Sequence, residues 1–391
     1  MLGRCSRLMG CVAIAGAFAL AGEPVVIGET RHLKSEILHE DRAYKVHLPA
    51  SYAWSPETRY PVLYLLDGDT QFLHTTAAVD FLSKQGEMPE MIVVAIASTV
   101  RVRDFTPTDW PKVWVGGGGA AHFRAFLAKE LIPEIERSYR ASDYRVLSGA
   151  SAGGLFALTC LVDQPTLFQA YIAISPSLDW DDGLPLRSLE AYFATKPSLQ
   201  AFVFAAGSDD FGKPLAEFER LEDILTREAP PGLRATCRAY PKETHTGVSL
   251  LAQIDALRTL YAGWRATEAL VGQGFAAVQA HYAAVSRSFG RAVPIPEGAI
   301  NDLAYAALQQ GRVQEALQLF RKNIADHPGS ANGYDGLADG LTKDGQLPAA
   351  QEAQDRAVRI ARQNGDPNLG AFEHHAKKIQ DQLKKPASAP K

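Results

Sequence analysis

The stretch Arg145–Leu158 reads RVLSGASAGGLFAL and sets Ser151 between Gly149-Ala150 on one side and Ala152-Gly153 on the other. The apolar run before it, beginning at Tyr144, has the look of a buried strand. The segment after it, Ala152–Val162, carries apolar residues at helical spacing. A chain that passes from strand to helix in so few residues brings backbone against backbone, and only small side chains relieve the crowding. Such a turn leaves the serine hydroxyl exposed at the carboxyl edge of a sheet. It also leaves it beside a helix N-terminus, where free N–H groups and the helix dipole favour a developing anion. Gly-x-Ser-x-Gly arises often by chance. The strand before it and the helix after it make this copy read as a nucleophile elbow.

The same alternation extends in both directions. Tyr44–Pro49, Tyr60–Gly68, Met91–Ser98, Ala170–Pro176, Gln200–Ser208 and Ala235–Pro241 are strand-length, several of them almost wholly apolar. Helical stretches at Ala121–Arg137, Pro214–Glu228 and Val248–Trp264 lie between or after them. Buried strands interleaved with helices predict an α/β fold, a doubly wound and mostly parallel sheet covered on both faces, over residues 24–265.

A serine needs a base, and in this architecture nucleophile, acid and histidine follow in that order. Of ten histidines, His245 in YPKETHTGVSL follows the last strand and precedes the last helix of the sheet domain, so its loop overhangs the edge that carries Ser151. The acid is expected after the preceding strand, where FVFAAGSDDFGK offers Asp210 first and Asp209 second, with Glu217 and Glu219 on the next helix as alternatives. Two N–H donors must face the oxyanion. Ala152, directly after the nucleophile, supplies one. Asp69, in the LLDGDTQF turn that Gly68 permits, supplies the other.

Taken together, YPVLYLLDGDTQF, RDFTPTDWP, GGGGAAHFRAFLAKELIPEIERSYR, SGASAGGLFAL, FQAYIAISPSLDWDD and ETHTGV resemble the esterase family of α/β-hydrolases. That family includes the enterobactin-type siderophore esterases, esterase D (S-formylglutathione hydrolase) and the mycolyl-transferring antigen 85 proteins. The likeness runs from about Pro24 to Trp264 and is strongest to the siderophore-esterase branch. It implies a serine carboxylic-ester hydrolase with a small-molecule ester as substrate, Ser151 as nucleophile, His245 as base, and Asp69 and Ala152 as oxyanion donors. An acyltransferase of the antigen 85 type is the alternative. An inactive hydrolase fold serving as a scaffold is the second.

RVRDFTPTDWPKVWVGGGGAAHF, after the third strand, reads as a substrate-binding lip. There Arg101, Arg103, Trp110 and Trp114 flank the glycine run; Arg103 would hold an acidic or catecholate group, the two tryptophans would stack on a ring, and the glycines would let the loop move. The plainer reading is that Arg103 and Asp104 pair with neighbours and fasten the loop. Trp180, in SPSLDWDD, is expected to form another wall. The Gly116–Gly119 run lacks a following Lys-Ser/Thr, and no Cys/His/carboxylate spacing suggests a metal, so no cofactor is expected.

The two ends differ from this core. Arg4 and Arg7, the apolar Leu8–Leu20 run and the small-x-small Ala19–Ala21 read as a signal peptide over residues 1–21, which places the mature chain in the periplasm or outside the cell. The apolar run is shorter than the roughly 20 residues a bilayer span needs, so no membrane anchor is expected in the mature chain. Cys160 and Cys237 are expected to remain unpaired. A net charge of −4 gives no ground for nucleic-acid binding. After a linking helical segment (266–298), residues 299–368 show no strand signal. Leu303, Ala304, Gly311 and Ala316 recur as Leu337, Ala338, Gly345 and Ala350, 34 residues on, as in a tetratricopeptide-like helical repeat that could seat a protein partner. Residues 369–391 close the chain as a helix and a disordered tail.

Overall fold

The computed structural model describes residues 24–208 and 215–384. The proposed signal segment and the Asp209–Asp210 pair therefore fall outside the described residues. Eight strands form one sheet: β1 (Glu29–Ser35), β2 (Glu40–His47), β3 (Tyr60–Leu65), β4 (Ile92–Ile96), β5 (Ala141–Ala150), β6 (Ala170–Ile174), β7 (Ala201–Ser208) and β8 (Leu233–Tyr240). Their order is β1-β2-β4-β3-β5-β6-β7-β8. β1 pairs antiparallel with β2, and β2 with β4; every later pairing is parallel. The elbow strand β5 sits in the middle of the sheet. All five residues of β6 and all eight of β7 are buried, as expected of strands covered on both faces.

The helices follow in chain order. They are α1 (Gly68–Lys84), α2 (Arg101–Phe105), α3 (Ala120–Phe126), α4 (Ile132–Ser138), α5 (Ala152–Asp163), α6 (Trp180–Ala194), α7 (Ala216–Arg227) and α8 (Val248–Leu260). Seven more complete the chain: α9 (Glu268–Val271), α10 (Phe275–Phe289), α11 (Glu297–Gln309), α12 (Val313–Asp326), α13 (Ala331–Lys343), α14 (Leu347–Asn364) and α15 (Leu369–Leu383). A π-turn, Leu127–Leu131, joins α3 to α4.

Two cores fill the two faces of the sheet, and β3 shows how. Its pleat sends Val62 and Tyr64 to one side, among Phe123, Phe156 and Leu221 of α3, α5 and α7. Leu63 and Leu65 go to the other, among Phe72 and Val79 of α1 and Leu257 of α8. This second core does not stop at α8. Phe289 of α10 stacks on Tyr261 (ring centroids 5.6 Å apart) and tilts against Tyr144 of β5 (5.4 Å). Leu303 of α11 and Phe320 of α12 join the same cluster. The region beyond is helical. Its helices pair with starts 34 residues apart, α11 with α13 and α12 with α14. Gly311 (φ 74°) between α11 and α12 and Gly345 (φ 77°) between α13 and α14 make matching left-handed turns. α13 to α15 bury smaller clusters of their own around Leu341 and Phe372. No helix among the described residues is long and apolar enough to cross a membrane, and Cys160 and Cys237 are free thiols.

Candidate active site

Ser151 sits between β5 and α5 with φ 57° and ψ −120°, a conformation that costs a residue with a side chain on the order of 1–3 kcal/mol. The surroundings hold it there. Its N–H donates to the Ile174 carbonyl (2.8 Å), and its own carbonyl accepts from Leu155 N (3.0 Å) and Ser177 N (3.2 Å). A Cβ on Gly149 would lie 2.5 Å from the Gly153 backbone, and one on Gly154 would lie 3.1 Å from Pro176. Gly149 and Gly154 are therefore dictated by close approach of neighbouring chain, whereas a Cβ on Gly153 would meet only ordinary contacts at 3.5 Å.

Two cavities meet at this serine. One, of about 380 Å³, is walled by Trp114, Ser177, Leu178, Ser208 and Glu217. The other, of about 480 Å³, is walled by Asp67, Asp69, Gln71, Ser98 and Thr246. Ser151, His245 and Arg101 line both. His245 is half-buried in the loop between β8 and α8. Ser177 Oγ lies 3.5 Å from Ser151 Oγ. Glu217 borders the first cavity with His245, whereas the exposed Glu219 borders neither.

The turn after β3 faces the elbow. Asp67 adopts the left-handed conformation (φ 53°, ψ 42°) and starts α1. Thr70 and Gln71 both donate their N–H to the Asp67 carbonyl, so the Asp69 N–H belongs to the first turn, which has no acceptor within the helix. Asp69 and Ser151 line the same cavity, and Ala152 opens α5. A Cβ on Gly68 would meet the Ala95 backbone at 2.7 Å, so this turn too needs glycine.

The lip is arranged differently from the sequence expectation. Arg103 borders neither cavity. Its guanidinium grips Glu40 (2.5 and 3.0 Å) and Asp104 (2.7 Å to Oδ1), which is the fastening role. Arg42 completes the network at 2.7 Å from Asp104, both side chains being 1% exposed. The hydrogen bond from Arg103, with help from Arg42, holds the Glu40 carboxyl down at about 2. Trp180 is buried beneath the wall, with Nε1 donating to Thr108 Oγ1 (3.2 Å) and its ring edge-on to Trp110 at 5.5 Å. Those two tryptophans support the lip, and Trp114 is the ring that reaches the cavity. The glycine run is also held. Gly116 and Gly117 both donate N–H to Asp109 Oδ1 (3.1 Å each), Gly118 donates to Thr106 Oγ1 (3.1 Å), and a Cβ on Gly119 would strike Arg103. Gly117 and Gly119 leave no room for a Cβ, while Gly116 and Gly118 take positive φ (89° and 92°). Sequence reasoning set Arg101 in the lip without giving it a role, and passed over Asp67 and Ser177 as site residues. The LLDG turn next to the proposed oxyanion donor was the available signal for Asp67.

A serine strained into the turn between a central parallel strand and a helix, with a histidine across the same cavities, defines a serine hydrolase of the α/β-hydrolase class. Within that class the chain belongs to the family described as Putative esterase, which its residues 35–210 match. It is 32% identical over 279 residues to the ferri-bacillibactin esterase BesA of Bacillus subtilis, a match covering 62% of this chain and 91% of BesA. Among solved structures it resembles an IroE-like serine hydrolase from Shewanella oneidensis at 32% identity and TM-score 0.68, covering 76% of this chain and 99% of that one. An uncharacterised protein from Capnocytophaga ochracea, 16% identical, shares the fold at TM-score 0.61 over 90% of this chain and 99% of that one. The chain is a serine ester hydrolase.

Proposed function

We propose that Ser151, His245 and Asp210 act as a triad that cleaves a small carboxylic ester through an acyl-enzyme. His245 takes the Ser151 proton as Oγ bonds to the ester carbonyl carbon. The N–H groups of Ala152 and Asp69 hold the oxyanion. The carbon–oxygen bond to the alcohol breaks, and His245 returns the proton to the departing oxygen. Water then attacks the acyl-enzyme, giving a proton to His245, and Ser151 leaves with that proton as the acid is released. The observation that carries this reading is that Ser151 and His245 line the same two cavities, with Ser151 in the strained elbow. Ser208, the last described residue before Asp210, lines one of them.

The relatives support a substrate class. BesA is a ferri-bacillibactin esterase, and an Aspergillus fumigatus relative is a siderophore triacetylfusarinine C esterase. The reading is that this chain hydrolyses siderophore esters, with Trp114 against the ring of a catecholate. Export to the periplasm or beyond is part of it, supported by Arg4, Arg7 and the apolar run that follows.

The experiment compares hydrolysis of p-nitrophenyl esters and of a catecholate trilactone by the wild type, Ser151→Ala and His245→Ala, with a fluorophosphonate label on the serine. Turnover in the wild type should fall by about 10³-fold or more in either variant, and the label should vanish with Ser151. Turnover that survives Ser151→Ala sinks the mechanism.

A further inference from the structure

The two halves of the proposed oxyanion hole come from different parts of the chain. Asp69 belongs to the turn after β3 and Ala152 to the elbow after β5. The backbone joins these parts through neighbouring strands, where Leu66 N donates to Ser148 O (2.9 Å). Beyond that hydrogen bond, the Arg101 side chain spans them. Arg101 Nε donates to Asp67 Oδ1 (2.8 Å), and Nη2 donates both to Asp67 Oδ2 (3.1 Å) and to the carbonyl of Ala150 (2.9 Å). That carbonyl belongs to the peptide joining Ala150 to the nucleophile. Asp67, in turn, is a left-handed residue 12% exposed at its side chain, and it also accepts from Ser98 Oγ (2.6 Å).

We propose that Arg101 is a positioning residue that sets the width of the oxyanion hole by bracketing the Asp67 turn to the Ser151 elbow. This rests on the triad reading above. A guanidinium suits the task because its planar fork meets a carboxylate with two donors and keeps a further donor for the carbonyl, which an ammonium cannot do in fixed geometry. The guanidinium is braced from behind by the Phe105 ring, 5.7 Å from its centre. Loosening the bracket lets the Asp69 N–H drift from the place where charge develops, while the rest of the cavity lining stays in place. The loss therefore falls on the transition state more than on substrate binding.

The test measures p-nitrophenyl acetate hydrolysis by Arg101→Ala, Arg101→Lys and Asp67→Asn, with thermal unfolding alongside. The expected result is a kcat about 30-fold lower in Arg101→Ala with KM changed less than 3-fold. Arg101→Lys should be intermediate, and sub-denaturing guanidinium should restore part of the Arg101→Ala activity. The double variant Arg101→Ala/Asp67→Asn should lose little more than Arg101→Ala alone. A kcat within 3-fold of wild type overturns the proposal. So does a rise in KM at constant kcat, which would make Arg101 a substrate contact. If Arg101→Ala does not fold, Arg101→Lys and Asp67→Asn carry the same comparison. Failure of the triad reading shows separately, as turnover retained by Ser151→Ala.

Discussion

Arg101 and Arg103 stand two residues apart on one short helix and hold different partners. The choice is made by carboxylates 34 and 63 residues away in sequence, Asp67 for Arg101 and Glu40 for Arg103. This is why the sequence reading picked the wrong arginine for the cavity: nothing local distinguishes them. The consequence is measurable. Arg103→Ala leaves the buried Asp104 with Arg42 as its remaining cation and strips Glu40 of its main partner. Breaking a fully buried pair costs about 3–5 kcal/mol, and the remaining Arg42 reduces that to about 1–3 kcal/mol here. Denaturant unfolding should show that loss, while KM for p-nitrophenyl esters should stay within 2-fold. A KM rise without destabilisation would return Arg103 to the substrate. The elbow, by contrast, was legible. Gly149, Ser151 and Gly153 announce it because the constraint is steric and acts among neighbours in the chain.

Among whole elements, those with a continuous apolar run were readable. β6 and β7 are buried throughout, and their sequences show it. β1 was not read, because ETRHLKS is polar and largely exposed and owes its strand form to pairing with β2. α1 escaped because GDTQFLHTTAAVDFLSK has threonines among its buried positions and no clean apolar stripe. α6 is interrupted by three left-handed residues, Asp181, Asp182 and Gly183, and carries Pro185. In the helical region, α13 and α15 are joined by a titratable contact. His375 Nδ1 meets Asp335 Oδ1 at 2.7 Å, and Nε2 lies 3.3 Å from Asp339 Oδ1. A neutral imidazole donates from one nitrogen only, so both contacts call for the cation. The hydrogen bond to Asp335 raises the His375 pKa; burial and Lys378 oppose it, and the charges of Asp335 and Asp339 add to the rise. A raised folded-state pKa gives stability that is complete below the unfolded value of about 6.5 and is lost as pH climbs through the folded value. Amide protection in α15 should therefore weaken from pH 6 to pH 9 in the wild type and lose that slope in His375→Gln. Equal slopes in the two proteins would remove His375 from the account.

For the molecule as a whole, the helical region and the sheet share a core. Phe289, 8% exposed, touches Tyr144, Tyr261 and Trp264. Phe289→Ala should cost about 3–5 kcal/mol, read by guanidinium denaturation. A chain ending at Trp264 should be aggregation-prone, because it uncovers apolar surface on the second face of the sheet. A soluble, fully active fragment of that length would contradict the shared core. The shared core also fixes a timetable. The patch around Tyr144 and Tyr261 stays open until α10 to α12, as far as Phe320, have been made. At about 5–20 residues per second, the roughly 60 residues after α8 take about 3–12 s to emerge from the ribosome. Through that interval the nascent chain stays short of its final packing, and the apolar patch must be kept from other chains until Phe320 is made.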